Sequence, residues 1–321
     1  MIVEYCGFSY YADGRGYYNI GPPFTSTLPS NFYKYYALTE HSVDALTNSY
    51  VYASHPNQFN DPFDCFEGII EFSTWDDVNR LWCQLFKQIK DTFSNNLIEI
   101  CNYSSKAFRT LLYRKLGIVS LSPDPNSSIM WAQYGSNNGF CLEYDIHKFP
   151  FAHFGPFPIN YVEELPKSIK IGEVGGHLAM LIQSNIKNKC WKHENEYRLL
   201  IPNPPFVDML SFGNEAEKFN MSDEHDRKFK YPINALRSIR LGTKFFKIDL
   251  INTISVNEID VCFPDEHQLE ARLLDFIGSL QQQSDLKVYY QNIAGFSDYS
   301  YTPINVIRLS KIRFKIHELP K

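Results

Sequence analysis

The chain has 321 residues, with 31 Lys and Arg against 36 Asp and Glu and a formal net charge of −5. Aromatic residues make up 16%, as 25 Phe, 21 Tyr and 4 Trp, within a hydrophobic fraction of 44%. So many rings can offset chain entropy by burial, which excludes an intrinsically disordered protein, and the acidic balance excludes broad charge-driven DNA binding while leaving room for a local basic groove.

No segment reaches the roughly 18 to 20 unbroken apolar residues of a membrane helix. The start, MIVEYCGFSYYADGRG, lacks the basic region and apolar run of a signal peptide. The seven cysteines include no Cys-x-x-Cys, a usage that fits buried thiols in a reducing cytoplasm. The expectation is a cytoplasmic protein with no membrane association.

Residues 1–30, rich in Gly, Pro and Tyr, read as an irregular N-terminal arm. The remainder, 31–321, reads as a single domain. A strand is expected at Phe32–Leu38, a helix near His41–Asn48 and a strand at Tyr50–Ser54. Thr74 and Asp77 form a capping-box pattern, and Val78, Leu81, Trp82, Leu85, Ile89 and Phe93 then recur at helical spacing. A second helix is expected over Ser104–Leu116, stopped by Gly117. The two make a helical insertion at about 73–116.

Beyond it come a strand at Ile118–Ser122, a short helix at Ser127–Tyr134 and a strand at Gly139–Asp145. A helix over Val174–Lys189 and an apolar strand over Glu196–Ile201 follow, then a polar loop at 203–230. The last elements are strands at Ile233–Leu241 and Lys287–Gln291, a helix at Asp265–Leu280 between them, and an edge strand at Val306–Ile316. Strands and helices intersperse without a βαβ rhythm, so the class is α+β.

Four segments set polar groups among aromatics. Phe32-Tyr33-Lys34-Tyr35-Tyr36 is either a packed Tyr-rich strand with Lys34 solvated, or a strand presenting Lys34 or Tyr35 to an anionic or aromatic ligand. Asn57-Gln58-Phe59-Asn60-Asp61-Pro62-Phe63-Asp64 is a turn capped by side-chain to backbone bonds and pinned by Phe59 and Phe63, or a source of metal ligands in Asp61 and Asp64. Ser120 and Ser122 share one face of a strand, and Trp131 and Tyr134 one face of a helix. Hydroxyls beside two rings suit a flat heteroaromatic ligand carrying ribose, or simply a packed helix–sheet junction. Glu194 and Glu196 sit at the entrance of an apolar strand, where two carboxylates can divide binding and proton transfer, or form an exposed strand end with Arg198 as counter-ion. P-loop, HExxH, GxSxG and strand-borne GxGxxG motifs are absent, and the histidines are scattered, so no metal centre is expected.

In this order the stretches FYKYYAL, YVYASHPNQFNDPFDCFEG, VSLSPDPNSSIMWAQYGSNNGFCLEYD and WKHENEYRLLI resemble the DUF2971 family of uncharacterised bacterial proteins, with ALRSIRLGTKF as a weaker match. More distantly, their order resembles the ADP-ribosyltransferases. That resemblance implies a central cleft between mixed or antiparallel sheets that binds NAD as substrate. By it, Glu196 and Glu194 are catalytic: Glu196 stabilises an oxocarbenium-like ribose and Glu194 orients or deprotonates the acceptor. Lys34 or Tyr35 faces the pyrophosphate, Ser120 and Ser122 hold the cleft strand or ribose, and Trp131 or Tyr134 stacks on nicotinamide. The acceptor would be a protein or a nucleic acid, in phage defence or toxin activity.

The alternative is a nucleic-acid-binding or metal-dependent nuclease component of bacterial defence. It would use the basic tail (Arg308, Lys311, Arg313, Lys315) on single strands and Asp61, Asp64, Glu194 and Glu196 as metal ligands.

Overall fold

Ile2–Tyr5, Phe8–Ala12 and Tyr18–Gly21 form an antiparallel three-stranded sheet. Tyr5 pairs with Phe8 across a two-residue turn in which Cys6 and Gly7 both take positive φ, the backbone that a tight hairpin needs. These residues are therefore not an irregular arm. Alternate burial decides it: Tyr10 and Ala12 point into the core, and the Tyr10 hydroxyl meets Asn185 Oδ1 at 3.1 Å.

The computed structural model describes residues 2–12, 18–22, 28–82, 85–202, 227–255, 257–293 and 299–320. Most of the polar loop expected at 203–230 lies outside them. Contacts divide the chain into two units, where the sequence leads to one domain over 31–321. The first comprises Met1–Leu28, Tyr52–Ser120 and Pro150–Phe229, the second Pro29–Val51, Leu121–Phe149 and Lys230–Lys321. Neither is continuous in sequence, so no linker marks a boundary.

In the first unit Trp75–Trp82 begins at the Thr74/Asp77 capping box, with Asp77 N donating to Thr74 Oγ1 and Thr74 N to Asp77 Oδ2. The expected long helix is broken: Trp75–Trp82 is followed by a separate Phe86–Thr92. Leu97–Lys115, capped by Asn96, completes the helical segment. Val78, Leu81, Ile100, Phe108 and Leu112 bury their apolar sides, and Trp82 Nε1 donates to Ser104 Oγ at 2.8 Å. Strand Tyr197–Pro202 lies between Leu116–Leu121 and Phe157–Pro158.

Helix Ile171–Gln183 breaks internally at Gly175, whose φ is 76°. It ends before Ser184, not at Lys189 as its periodicity suggests. Gln183, Ser184 and Asn185 bond to nearby backbone instead, and Ile186–Asn188 forms a strand parallel to Asn160–Val162.

The second unit carries an eight-stranded sheet. Its order is Ile251–Ile254, Glu258–Cys262, Arg313–Glu318, Tyr299–Arg308, Lys287–Ile293, Leu236–Leu241, Phe140–Tyr144 and Phe32–Tyr36. All neighbours are antiparallel except Leu236–Leu241 against Lys287–Ile293. The C-terminal residues expected as an edge strand are a hairpin in the sheet interior, because Arg313–Glu318 pairs on both sides. Helix Gln268–Gln283 packs on Tyr299–Arg308 and beside helix Glu40–Thr47.

The fold is mixed α+β, and none of its described sheets closes on itself. Among the described residues no helix is long and apolar enough to cross a membrane.

Candidate functional site

Asp61 and Asp64 sit in a tight turn. Asp61 Oδ1 accepts from Phe63 N at 2.9 Å, and Asp64 N donates to the Asp61 carbonyl at 3.1 Å. The turn aims the Asp64 carboxylate inward, where it is almost completely buried. Later in the chain a 3₁₀ helix, Lys189–Glu194, ends at Asn195 in the left-handed region. Asn tolerates that conformation because its short side chain bonds locally. The reversal separates Glu194 from Glu196, and extended backbone then puts Glu196 and Arg198 on one side at i, i+2.

These segments meet at Arg198, whose side chain is wholly buried. Its Nη1 and Nη2 donate to the two oxygens of Asp64 at 2.8 and 2.5 Å. Nε and Nη2 reach Glu196 at 2.8 and 3.1 Å, and Nη1 also reaches the Ser184 carbonyl at 2.7 Å. The planar fork fits two carboxylates at once, as an ammonium cannot. Phe59 covers the guanidinium at 5.0 Å from its ring centre.

Lys187, central in its short strand, completes the cluster. Its Nζ is 2.5 Å from Glu194, 3.1 Å from Glu196 and 3.9 Å from Asp64. Trp191 lies over it at 5.1 Å. Three carboxylates thus face two cations, all buried.

Burial alone raises the Glu196 carboxyl. The charges of Arg198 and Lys187, with hydrogen bonds from Arg198 and Ser120, overcome that and hold it at about 2 against an ordinary 4.5. Burial lowers Lys187, but Glu196, Asp64 and Glu194 outweigh it and the ammonium is held above its usual range. Glu196 is therefore held as an anion near neutral pH. The Glu196 amide donates to the Tyr161 hydroxyl at 2.9 Å.

Of the expected site residues, Glu194, Glu196 and Ser120 belong to the first unit and come together, Ser120 hydrogen-bonding Glu196 from the neighbouring strand. Lys34, Tyr35, Ser122, Trp131 and Tyr134 belong to the second. Ser122 exchanges backbone hydrogen bonds with Tyr33, and its hydroxyl accepts from Asp124 N at 3.3 Å. Lys34 and Tyr35 point to opposite faces of their strand; Lys34 lies over Tyr36 at 5.6 Å.

Tyr35 donates to the Asp124 carbonyl at 2.6 Å and meets Trp131 edge-on at 5.3 Å. Trp131 is fully buried with Nε1 on the Pro125 carbonyl, so it has no face open to a planar ligand. Tyr134 packs half-buried against this group.

The basic tail is largely ion-paired: Arg308 with Asp275, Arg313 with Asp260 and Lys315 with Glu258. Among the described residues no group of three or more His, Cys, Asp or Glu is arranged to hold a metal. Where Asp64, Glu194 and Glu196 converge, the occupant is the Lys187 ammonium.

Lys187 and the pairing of Asp64 with Arg198 are not legible in sequence. Lys187 sits where periodicity continues a helix, and Asp64 and Arg198 are 134 residues apart. The polar triplet Gln183-Ser184-Asn185 is the signal that could have ended the helix early. Compared with known proteins, the chain matches no family model, no curated protein and no solved structure.

Proposed function

We propose that the protein cleaves the nicotinamide–ribose bond of NAD and transfers ADP-ribose to a macromolecular acceptor, with Glu196 as the catalytic anion. One observation carries the reading: the Ser-x-Ser strand lies beside the strand that Glu196 enters, with the Ser120 hydroxyl on a carboxylate held ionised. Bond cleavage leaves positive charge on the ribose, and a fixed anion in a site shielded from water is the group that stabilises it.

The C1′–N bond breaks with its electron pair leaving on nicotinamide. The acceptor then bonds to C1′ and gives up its proton to water. Glu194 is the group that orients the acceptor. Lys187 bridges Glu194 and Glu196, so the ribosyl cation takes the place of the ammonium as their counter-ion. The central NAD cleft between sheets belongs to this proposal.

The test is nicotinamide release from NAD. Glu196→Gln is expected to lower the rate by roughly 10² or more. Ser120→Ala, which spares the ion pairs, should lower it less while leaving thermal unfolding unchanged. If the wild type neither binds NAD nor releases nicotinamide, the reading fails. Chelator-sensitive cleavage of nucleic acid in the absence of NAD would replace it with the nuclease.

A further inference from the structure

Arg240, in the second unit, is held by aromatic rings and polar groups together. Register sets it in a cross-strand row with Cys141 and Tyr289, while Ser238, two residues earlier, pairs with Glu143 and Lys287. Cross-strand partners project to the same face, so this face carries a polar and aromatic patch. The guanidinium lies 4.7 Å from the Tyr33 ring centre, 5.3 Å from Tyr301 and 5.5 Å from Tyr289. Its Nη1 donates to Glu143 at 3.1 Å and to Ser238 Oγ at 3.0 Å. Its Nε is buried with no acceptor.

Arg240 lines a cleft of about 870 Å³, which also takes Lys148, Arg237, Lys287 and Tyr289 into its walls. Four cations there face Glu143 and Asp285. Asp145 stands behind, 2.8 Å from Arg237 and 3.7 Å from Lys148. Lys287 is exposed, and among the described residues no acidic side chain pairs with it. The positive surplus, the arginines suited to paired oxygens and a volume in the range of small-ligand sites all select one chemistry.

We propose that this cleft binds a phosphorylated small molecule of nucleotide size, with Arg240 and Lys287 on its phosphates. The site lies wholly within the second unit and uses none of the residues given to NAD cleavage. The rings around Arg240 fix the guanidinium before the ligand arrives, which reduces the ordering cost of binding.

The experiment is calorimetric titration of the full chain with ADP, inorganic pyrophosphate and adenosine. ADP and pyrophosphate are expected to bind saturably and more weakly as salt rises, while adenosine does not bind. Arg237→Gln with Lys287→Gln, both exposed positions, should weaken ADP by roughly tenfold or more, with thermal unfolding lowered only slightly by loss of the Arg237–Asp145 pair. Arg240→Gln should abolish binding; should that variant misfold, the exposed pair decides.

ADP is part of NAD, so it is the loss in the exposed double variant that separates this site from the catalytic proposal. Adenosine binding equal to ADP, no saturable binding, or an unchanged affinity in the exposed double variant would overturn it. So would single-stranded DNA competing better than ADP.

Discussion

Arg198→Met tests the buried cluster most directly. The methionine fills similar volume but removes five hydrogen bonds, two to Asp64, two to Glu196 and one to the Ser184 carbonyl. Asp64 then keeps Lys187, at 3.9 Å, and the Cys65 thiol, at 3.6 Å, while Glu196 keeps Lys187 at 3.1 Å and the Ser120 hydroxyl. One ammonium would serve three buried carboxylates.

Removing one partner of a buried ion pair costs about 3–5 kcal/mol, because the partner's desolvation is no longer offset. The exposed pair Arg308–Asp275, with about half of each side chain in solvent, is the control; Arg308→Ala should cost under about 1 kcal/mol.

A molecule of two units need not unfold in one step, so the readout is local. Hydrogen exchange of the amides in Tyr197–Pro202 should quicken by roughly 10²-fold or more in Arg198→Met, and hardly change in Arg308→Ala. The apolar pair Asp64→Leu with Arg198→Met should recover part of the loss, because it leaves fewer unpaired charges. If Arg198→Met exchanges within about threefold of wild type in these amides, a loss under about 1 kcal/mol, the account of the cluster is wrong.

Acid should act through Glu196. Its folded value of about 2 lies below the ordinary 4.5, so its contribution is fully present above pH 4.5 and is lost as pH falls toward 2. The difference is worth about 3 kcal/mol, and Glu196→Gln should flatten that limb in a pH series of thermal unfolding. An unchanged limb would show that other carboxylates govern acid unfolding.

Gly139→Ala should destabilise the second unit by roughly 1–3 kcal/mol, since a Cβ there would lie 2.0 Å from the Tyr36 carbonyl oxygen and 2.7 Å from that of Gly135. An unaltered melting curve would mean that the strand can move away.

Much local structure is legible in the sequence. The Thr74/Asp77 box marks the start of a helix, and the apolar run of YRLLI ending at Pro202 marks a strand, because caps and short apolar runs act within a few residues. The i, i+2 pairing of Glu196 with Arg198 is likewise local.

What the sequence leaves open is long-range. The N-terminal strands are hidden by their aromatic composition, although the Cys6-Gly7 turn is there to be read. Trp131 and Tyr35 look like a ligand platform in sequence, and packing decides that they are core. The sequence by itself determined the α+β elements, the Asp61–Asp64 turn and the acidic entrance to the 197–202 strand. Only the tertiary structure decided that Lys187 and Arg198 neutralise that entrance, with Asp64 as a third carboxylate, and that register gathers three tyrosines around Arg240. The physical reason is that backbone propensity and side-chain spacing are properties of neighbouring residues, whereas burial and ion pairing depend on which distant strands the fold lays side by side.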